Sequence, residues 1–267
     1  LFDPAPDSAA KVQAVLDNAE RAYQKLTMAP RATRGALTFA SSLAEAVQGA
    51  QLVMEAVPES LPLKQSVYKD IESSVHSDVI IASSTSGILP TQLQEQMTHP
   101  QRLLVAHPFN PVYLLPLVEI VAGAQTSSEI TAAAEDFFNG LGMHSLPIRK
   151  EIDAFVADRL LEAVWREALW LVKDGIATTA EIDDAIRFGF GLRWAQMGLF
   201  ESYRLAGGEA GMRHFIAQFG PCLQWPWTKL TDVPELTDEL IDTIARQSDE
   251  QSGHYSFREL ERIRDDN

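Results

Sequence analysis

The sequence predicts an α/β fold with a doubly wound, mostly parallel sheet, followed by an all-helical second half. As far as about Arg149, short apolar runs alternate with longer stretches in which apolar residues recur at helical spacing. Beyond about Lys150 the runs typical of strands stop, and helical patterns punctuated by Gly and Pro remain. We therefore expect two domains, residues 1–149 and 150–267.

The elements of the first half alternate between helices and strands. Helical spacing is found at 12–26, 43–47, 61–75, 90–97 and 128–141. Apolar runs typical of strands are found at 37–39, 51–57, 79–82, 104–107, 117–121 and 144–148. Because helices separate many of these strands, we expect a largely parallel sheet with helices on both faces.

The second half is predicted to contain helices alone. They are expected at 154–173, 179–188, 208–219, 235–249 and 257–265. Gly and Pro residues lie between these stretches, as helix boundaries require.

A candidate acid–base pair lies in two neighbouring apolar runs. The run 104–106 stops at His107, which is followed by two prolines within four residues, as at the rim of a sheet. The run 117–121 carries one carboxylate, Glu119, which needs a partner if it is buried. A carboxylate on one ring nitrogen would orient the imidazole for proton transfer at the other. The alternative is that His107 is a satisfied core residue and Glu119 is solvated.

Two further polar side chains follow strand ends. Ser86 comes shortly after the run 79–82, and Asn110 comes three residues after His107. In open α/β sheets the ligand crevice lies outside the carboxyl ends of the strands. We therefore expect Ser86 and Asn110 to join His107 and Glu119 in one catalytic site.

These motifs, in this order and at this spacing, resemble the 3-hydroxyacyl-CoA dehydrogenase family. They are a strand, Ser83-Ser84-Thr85-Ser86, a second strand, His107-Pro108-Phe109-Asn110-Pro111, and Val118-Glu119. The resemblance implies a Rossmann-type NAD-binding domain, followed by a helical domain that binds substrate and usually dimerises. It also implies an NAD-dependent enzyme that oxidises a 3-hydroxy acid.

The glycine-rich turn of a dinucleotide site, Gly-x-Gly-x-x-Gly, is not found in the sequence. The chain opens with Leu1-Phe2-Asp3, which is typical of a strand ending in the acid that binds the ribose hydroxyls. We therefore expect about thirty further N-terminal residues, the scale of one βαβ unit, to carry the first strand. Asp3 favours NAD over NADP because its carboxylate repels a 2′-phosphate. The alternative is a turn or helix cap, since Asp before Pro is common there.

The other cofactor-binding residues come from the resemblance alone. Glu55-Ala56-Val57-Pro58-Glu59 is similar to a strand end of the family, which implies ribose contacts at Val57 and Glu59. Lys64 matches a family lysine near cofactor and substrate, and Ser84 stands where the family usually has Asn.

The substrate is expected to carry a positive charge at one end and a carboxylate at the other. Asp158 replaces an active-site Asn of the family, and its carboxylate would attract a cation. Aromatic residues are concentrated between 188 and 227, and Phe190, Trp194 and Tyr203 are candidates for an aromatic cage around a quaternary ammonium group. The sequence leaves open which of the aromatic residues in this stretch form the cage. Arg193 would bind a free carboxylate. The alternatives are an Asp158 that pairs with Arg159 or with solvent, aromatic residues in the core or at a dimer interface, and an arginine at the surface or at an interface.

Composition excludes several classes of partner. Lys and Arg total 22 against 37 for Asp and Glu, which gives a net charge of −15 and argues against nucleic acid or an anionic membrane. No apolar run approaches the length that crosses a bilayer. The single cysteine, Cys222, fits a cytoplasmic protein, and we expect no metal site.

Three other functions stay open at this point. A dehydrogenase for an uncharged sugar acid would share the site but would not need an ammonium cage. A CoA-linked 3-hydroxyacyl enzyme would need basic contacts for the CoA phosphates, which an acidic chain offers poorly. A non-catalytic, crystallin-like structural or binding protein would not require His107, Glu119, Ser86 and Asn110 together.

Overall fold

The computed structural model describes residues 1–26, 35–207, 211–230, 235, 237–252, 254 and 259. The chain divides into two compact units, and the boundary between them lies at Arg159 and Leu160. The predicted boundary at residue 149 stays a prediction.

The first unit contains a five-stranded sheet. Its strands are β1 (Leu52–Glu55), β2 (Ile80–Ser83), β3 (Leu103–Pro108), β4 (Leu117–Ala122) and β5 (His144–Ile148). They lie in the order β1-β2-β3-β4-β5, and every neighbouring pair is parallel except β3 and β4. The predicted mostly parallel α/β fold is therefore confirmed.

The antiparallel pairing of β3 with β4 was not predicted. The connection from Phe109 to Pro116 is shorter than the dozen or more residues that a parallel crossover needs, so β4 returns beside β3 in the opposite direction. In the resulting register His107 lies opposite Glu119.

Helices of the first unit connect and cover the strands. They are α1 (Ser8–Lys25), α2 (Leu43–Val47), α3 (Leu61–Glu72), α4 (Pro90–Gln94) and α5 (Ser128–Gly140). Ser42 and Ser127 cap α2 and α5 by accepting hydrogen bonds from backbone N–H groups of the first turn. The sheet core has two parts, one around Ile81, Leu103 and Val105 and the other around Ala82, Leu104 and Ala106.

The run 37–39 does not form one of the five strands. Its backbone nevertheless pairs with the start of the chain, since the Leu1 amino group donates to the Thr38 carbonyl and the Ala40 N–H donates to the Leu1 carbonyl, at 2.9 and 2.8 Å. This pairing holds Leu1, two residues before Asp3, against the backbone of Thr38 and Ala40.

The second unit is helical. Helix α6 (Ala157–Lys173) begins in the first unit and is followed by α7 (Thr179–Ala185), a π-type turn (Ile186–Phe190), α8 (Gly191–Ala206), α9 (Gly211–Phe219) and α10 (Asp238–Ser252). Helix α8 was missed because Gly189, Gly191 and Gly198 predict breaks. In the structure two helical segments meet at a kink at Gly198, where φ is +62° and the backbone is not helical.

Most of the helix predicted at 257–265 lies outside the described residues. None of the helices in the described part of the chain is long and apolar enough to cross a membrane.

Candidate active site

The site is built around a buried imidazole–carboxylate pair. His107 on β3 is 5% exposed and Glu119 on β4 is fully buried. The His107 Nδ1 lies 3.0 Å from the Glu119 Oε2, across the antiparallel register. The interpretation of Glu119 as a solvated side chain is therefore wrong. A neutral imidazole that donates Nδ1–H to Glu119 keeps its Nε2 lone pair available as a base.

The second oxygen of Glu119 accepts two backbone hydrogen bonds. Val156 N–H and Ala157 N–H donate to Oε1 at 2.9 and 3.0 Å, from the turn that precedes α6. Burial alone would raise the pKa of Glu119, but the hydrogen bonds from His107 and from these two amides outweigh it. The pKa of this carboxyl therefore lies below its usual range, and Glu119 is ionised near neutral pH.

The turn before α6 has an unusual backbone. Ala154 and Phe155 both have left-handed conformations, with φ of +58° and +52°. Phe155 is fully buried in the sheet core, where its ring centroid lies 5.6 Å from that of His107. Anchoring Phe155 in the core directs the next two amides at Glu119.

A second carboxylate faces the other ring nitrogen of His107. The Asp158 Oδ2 lies 3.8 Å from the His107 Nε2, and Asp158 belongs to the first turn of α6. The Phe109 ring packs edge-on against the imidazole at 5.0 Å. The sequence did not predict that Asp158 would face His107.

Ser86 and Asn110 lie in exposed loops at the carboxyl ends of β2 and β3. Among the described residues, neither side chain is hydrogen-bonded to His107. The loop that carries Ser86 is shaped by Thr85, whose hydroxyl donates to Glu59 and accepts from the Gly87 and Ile88 amides. Their catalytic roles stay predictions.

The predicted cofactor residues lie at the same edge of the sheet or near the start of the chain. Asp3 is exposed and accepts a hydrogen bond from the Ala5 N–H at 2.8 Å. Val57 and Glu59 follow β1, and Ser84 follows β2, where its N–H donates to the Glu55 carbonyl. Burial would raise the pKa of Glu59, but the Thr85 hydroxyl and Lys64 outweigh this effect and lower it.

Lys64 lies in a buried polar cluster. Its side chain is 1% exposed, and its Nζ lies 2.8 Å from the Glu55 Oε1 and 3.4 Å from the Glu59 Oε2. It also donates to the Val57 carbonyl at 3.1 Å. Lys64 is therefore buried beneath the loop that follows β1, and any effect it has on a bound ligand would be transmitted through that loop.

Glu55 is the centre of that cluster and was missed in the sequence. Besides Lys64, its carboxylate accepts hydrogen bonds from the Val57 N–H, the Tyr68 hydroxyl and the Ser83 hydroxyl at 2.7, 2.5 and 2.7 Å. Burial, together with the Glu55 carboxylate, raises the pKa of Tyr68 well above its usual range. A single carboxylate at the end of an apolar strand was the available signal, as it was for Glu119.

The residues predicted to form the aromatic cage and to bind the substrate carboxylate belong to the second unit. The rings of Phe190 and Trp194 pack together at 4.6 Å, whereas Tyr203 stacks on Phe215 at 4.5 Å. The indole N–H of Trp194 is buried without a hydrogen-bond partner in the part of the chain that the structure describes. Arg193 is exposed. Their roles in binding substrate stay predictions.

The described residues contain no group of three or more His, Cys, Asp or Glu side chains arranged to hold a metal ion.

Comparison with known proteins identifies the family. Residues 1–152 match the model of the 3-hydroxyacyl-CoA dehydrogenase NAD-binding domain, and residues 155–246 match that of its C-terminal domain. The chain belongs to the 3-hydroxyacyl-CoA dehydrogenase family. The predicted membership is thus confirmed.

Curated relatives of this family match the whole chain. The L-carnitine dehydrogenase/betainyl-CoA thioesterase of Ruegeria pomeroyi is 60% identical over 100% of this chain and 55% of its own length. The L-carnitine dehydrogenase of Mesorhizobium japonicum is 59% identical over 100% of this chain and 74% of its own length. That of Pseudomonas putida is 53% identical over 99% and 82%. The chain spans about half the length of the two-function relatives.

Solved structures of the family share the fold. A 5-formyl-3-hydroxy-2-methylpyridine 4-carboxylic acid 5-dehydrogenase, described as an NAD⁺-dependent dismutase, has a TM-score of 0.73 at 30% identity, over 89% of this chain and 74% of its own. FadB2 of M. tuberculosis has a TM-score of 0.66 at 26% identity, over 92% and 84%.

Proposed function

We propose that this protein oxidises the 3-hydroxyl group of L-carnitine to give 3-dehydrocarnitine, with NAD as the hydride acceptor. The observation that carries the proposal is the buried His107–Glu119 pair at the carboxyl edge of the sheet. The curated relatives named L-carnitine dehydrogenase support the choice of substrate, since they are 53–60% identical over nearly the whole chain.

His107 is the general base of the proposed reaction. Its Nε2 accepts the proton of the substrate hydroxyl while the hydride leaves the same carbon. Glu119 holds the ring in the tautomer that has a free Nε2, and its negative charge stabilises the imidazolium that forms. Ser86 and Asn110, at the neighbouring strand ends, are proposed to hold the substrate hydroxyl and the nicotinamide side.

The residues present fit an NAD molecule. When bound, NAD supplies the acceptor for the hydride. Asp3, near the start of the chain, offers a carboxylate suited to ribose hydroxyls, and its Oδ1 already accepts an N–H. Glu59 and Ser84 offer polar groups at the carboxyl ends of β1 and β2, where ligands bind in such sheets. Val57 and Lys64 complete the proposed cofactor set.

Two features of L-carnitine match the proposed substrate residues. Its trimethylammonium group has no proton to donate, so a carboxylate and aromatic faces suit it. Asp158, beside His107, would supply the carboxylate, and Phe190, Trp194 and Tyr203 are the proposed aromatic residues. A guanidinium group suits the substrate carboxylate, and Arg193 is proposed for it.

The full-length protein tests this proposal. NADH absorbance would be followed with L-carnitine, D-carnitine, L-gulonate and 3-hydroxybutyryl-CoA side by side. We expect a clear preference for L-carnitine. If L-gulonate or the CoA ester reacts best, the protein is still a dehydrogenase, but its site is not built for a trimethylammonium group. If no substrate reacts although NAD binds, the protein is instead a non-catalytic, crystallin-like structural or binding protein.

We also propose a homodimer formed through the helical domain and a cytoplasmic location. The family resemblance supports the first, and the single cysteine, Cys222, supports the second.

A further inference from the structure

We propose that Thr85 is a positioning residue for the oxidation, which fixes Ser86 relative to the cofactor-side carboxylate of Glu59. This inference rests on the proposed function, because it assumes that Ser86 holds the hydroxyl of L-carnitine and that Glu59 contacts NAD. It goes beyond that function by giving a role to a buried residue that is not itself placed against either ligand.

Thr85 joins two loops that follow neighbouring strands. The loop 56–60 follows β1 and carries Glu59, and the loop 84–89 follows β2 and carries Ser86. Thr85 is 1% exposed, whereas the next residue, Ser86, is exposed. The chain is therefore anchored in the protein immediately before the side chain that is proposed to meet the substrate.

The Thr85 hydroxyl makes hydrogen bonds to both loops. It donates to the Glu59 Oε1 and accepts from the Gly87 and Ile88 N–H groups, at 3.3 and 3.0 Å. A hydroxyl has one proton and two lone pairs, so these three bonds use its full capacity. The bonds to Gly87 and Ile88 close a turn around Ser86, and the position of Ser86 therefore depends on that hydroxyl.

Glu59 gives the Thr85 hydroxyl a fixed partner. Burial would raise the pKa of Glu59, but the hydrogen bond from Thr85 and the charge of Lys64 outweigh that effect and lower it. The ionised carboxylate can only accept, which sets the direction of the Thr85 O–H and leaves its lone pairs to the two amides. The Glu59 side chain is 49% exposed, so it can contact a ligand while it holds Thr85.

The backbone of Thr85 is held as well. Its N–H donates to the Ser83 Oγ at 3.3 Å, and that hydroxyl donates to the Glu55 Oε2 at 2.7 Å. Glu55 also accepts from the Val57 N–H at 2.7 Å, in the loop that follows β1. A second hydrogen-bonded route thus joins the two loops, and it stays in place when the Thr85 hydroxyl alone is removed.

Removing that hydroxyl should displace Ser86 in a protein that still folds. We expect Thr85→Val to lower kcat for L-carnitine by about 10–100-fold, the effect of misplacing a substrate-positioning group by about 1 Å. The Kd for NAD, from tryptophan fluorescence, should change far less, because Glu59 keeps its ion pair with Lys64. Thr85→Ser retains the hydroxyl and should retain most of the activity.

A second substitution shows whether the effect depends on Ser86. If Thr85 acts by positioning Ser86, Thr85→Val should have little further effect on kcat in a protein that already carries Ser86→Ala. A general loss of packing would instead lower kcat by the same factor in both backgrounds. NADH absorbance with the full-length protein, at saturating NAD and L-carnitine, gives the four turnover numbers.

Thr91→Val is the matched control. The Thr91 hydroxyl also donates to a carboxylate, that of Glu151 at 2.6 Å, and accepts a backbone N–H, that of Ala124 at 2.8 Å. Ala124 follows β4 at the end that pairs with the start of β3, away from His107. We expect Thr91→Val to lower the urea midpoint of unfolding but to leave kcat unchanged.

The possible failures are distinguishable. If the wild-type protein oxidises L-carnitine, this inference alone is overturned by wild-type turnover in Thr85→Val or in Ser86→Ala, or by losses of equal size in the two backgrounds. If Thr85→Val does not fold, Thr85→Ala and Thr85→Ser, which differ only in the hydroxyl, provide the same comparison. Absence of any L-carnitine oxidation would overturn the proposed function, and this inference with it.

Discussion

Replacing Glu119 by Gln tests the central pair with little change of shape. The Gln carbonyl can still accept from the Val156 and Ala157 amides, which lie 2.9 and 3.0 Å from Oε1. Its NH₂ group then faces the His107 Nδ1, at the position where the carboxylate accepted a hydrogen bond. A donor there favours the tautomer with hydrogen on Nε2, which removes the lone pair of the base.

We expect the turnover number to fall by about 10²–10⁴-fold, the range for loss of general-base catalysis, which corresponds to about 3–5 kcal/mol in the activation barrier. Removing the charge from an acceptor of three hydrogen bonds should also lower the free energy of unfolding, by about 2 kcal/mol at neutral pH. Steady-state NADH formation and urea unfolding measure the two effects.

The stability effect should depend on pH. The pKa of Glu119 is lower in the folded than in the unfolded protein, so its ionised form stabilises the fold above the unfolded pKa. That contribution is lost as the pH falls through the lower, folded pKa. The difference in stability between wild type and Glu119→Gln should therefore shrink below about pH 4.

Glu95→Gln, at an exposed carboxylate after α4, is the control and should change neither quantity. A folded Glu119→Gln protein that turns over within threefold of the wild type would refute the role of the pair.

Three further substitutions test other parts of the site. His107→Ala should lower turnover by about 10²–10⁴-fold while NAD still binds, and unchanged turnover would refute the base. Ala154→Gly should stabilise the protein by about 0.5–1 kcal/mol, because glycine adopts the left-handed conformation at φ +58° without strain. The control, Ala132→Gly on the exposed face of α5, should instead destabilise the protein. Thermal unfolding of the two variants distinguishes these outcomes. Lys64→Met leaves the buried Glu55 carboxylate without its cation and should lower the free energy of unfolding in urea by about 3–5 kcal/mol. Combining Glu55→Gln with Lys64→Met should recover part of this loss. Equal stabilities of the single and double variants would contradict the ion pair.

Several features of the protein follow from the sequence by itself. The alternation of apolar runs and helical patterns predicted the five strands of the sheet and most of the helices, because those signals depend on neighbouring residues. The sixth predicted run, 37–39, does not form a strand of the sheet. The loop Ser83-Ser84-Thr85-Ser86, the residues around His107 and Val118-Glu119 were together sufficient to indicate the family, since each motif is short and contiguous. The partner of His107 could also be inferred, because an isolated carboxylate in an apolar strand must be compensated.

The remaining arrangement was decided by the tertiary structure. The antiparallel return of β4 sets which residue lies opposite His107, and the buried Phe155 directs two amides to Glu119 from a turn 37 residues away. The approach of Asp158 to the other side of the ring depends on where α6 begins. The Glu55 cluster likewise joins β1, α3 and β2. These contacts join residues far apart in the chain, and local sequence patterns do not encode their distances or directions.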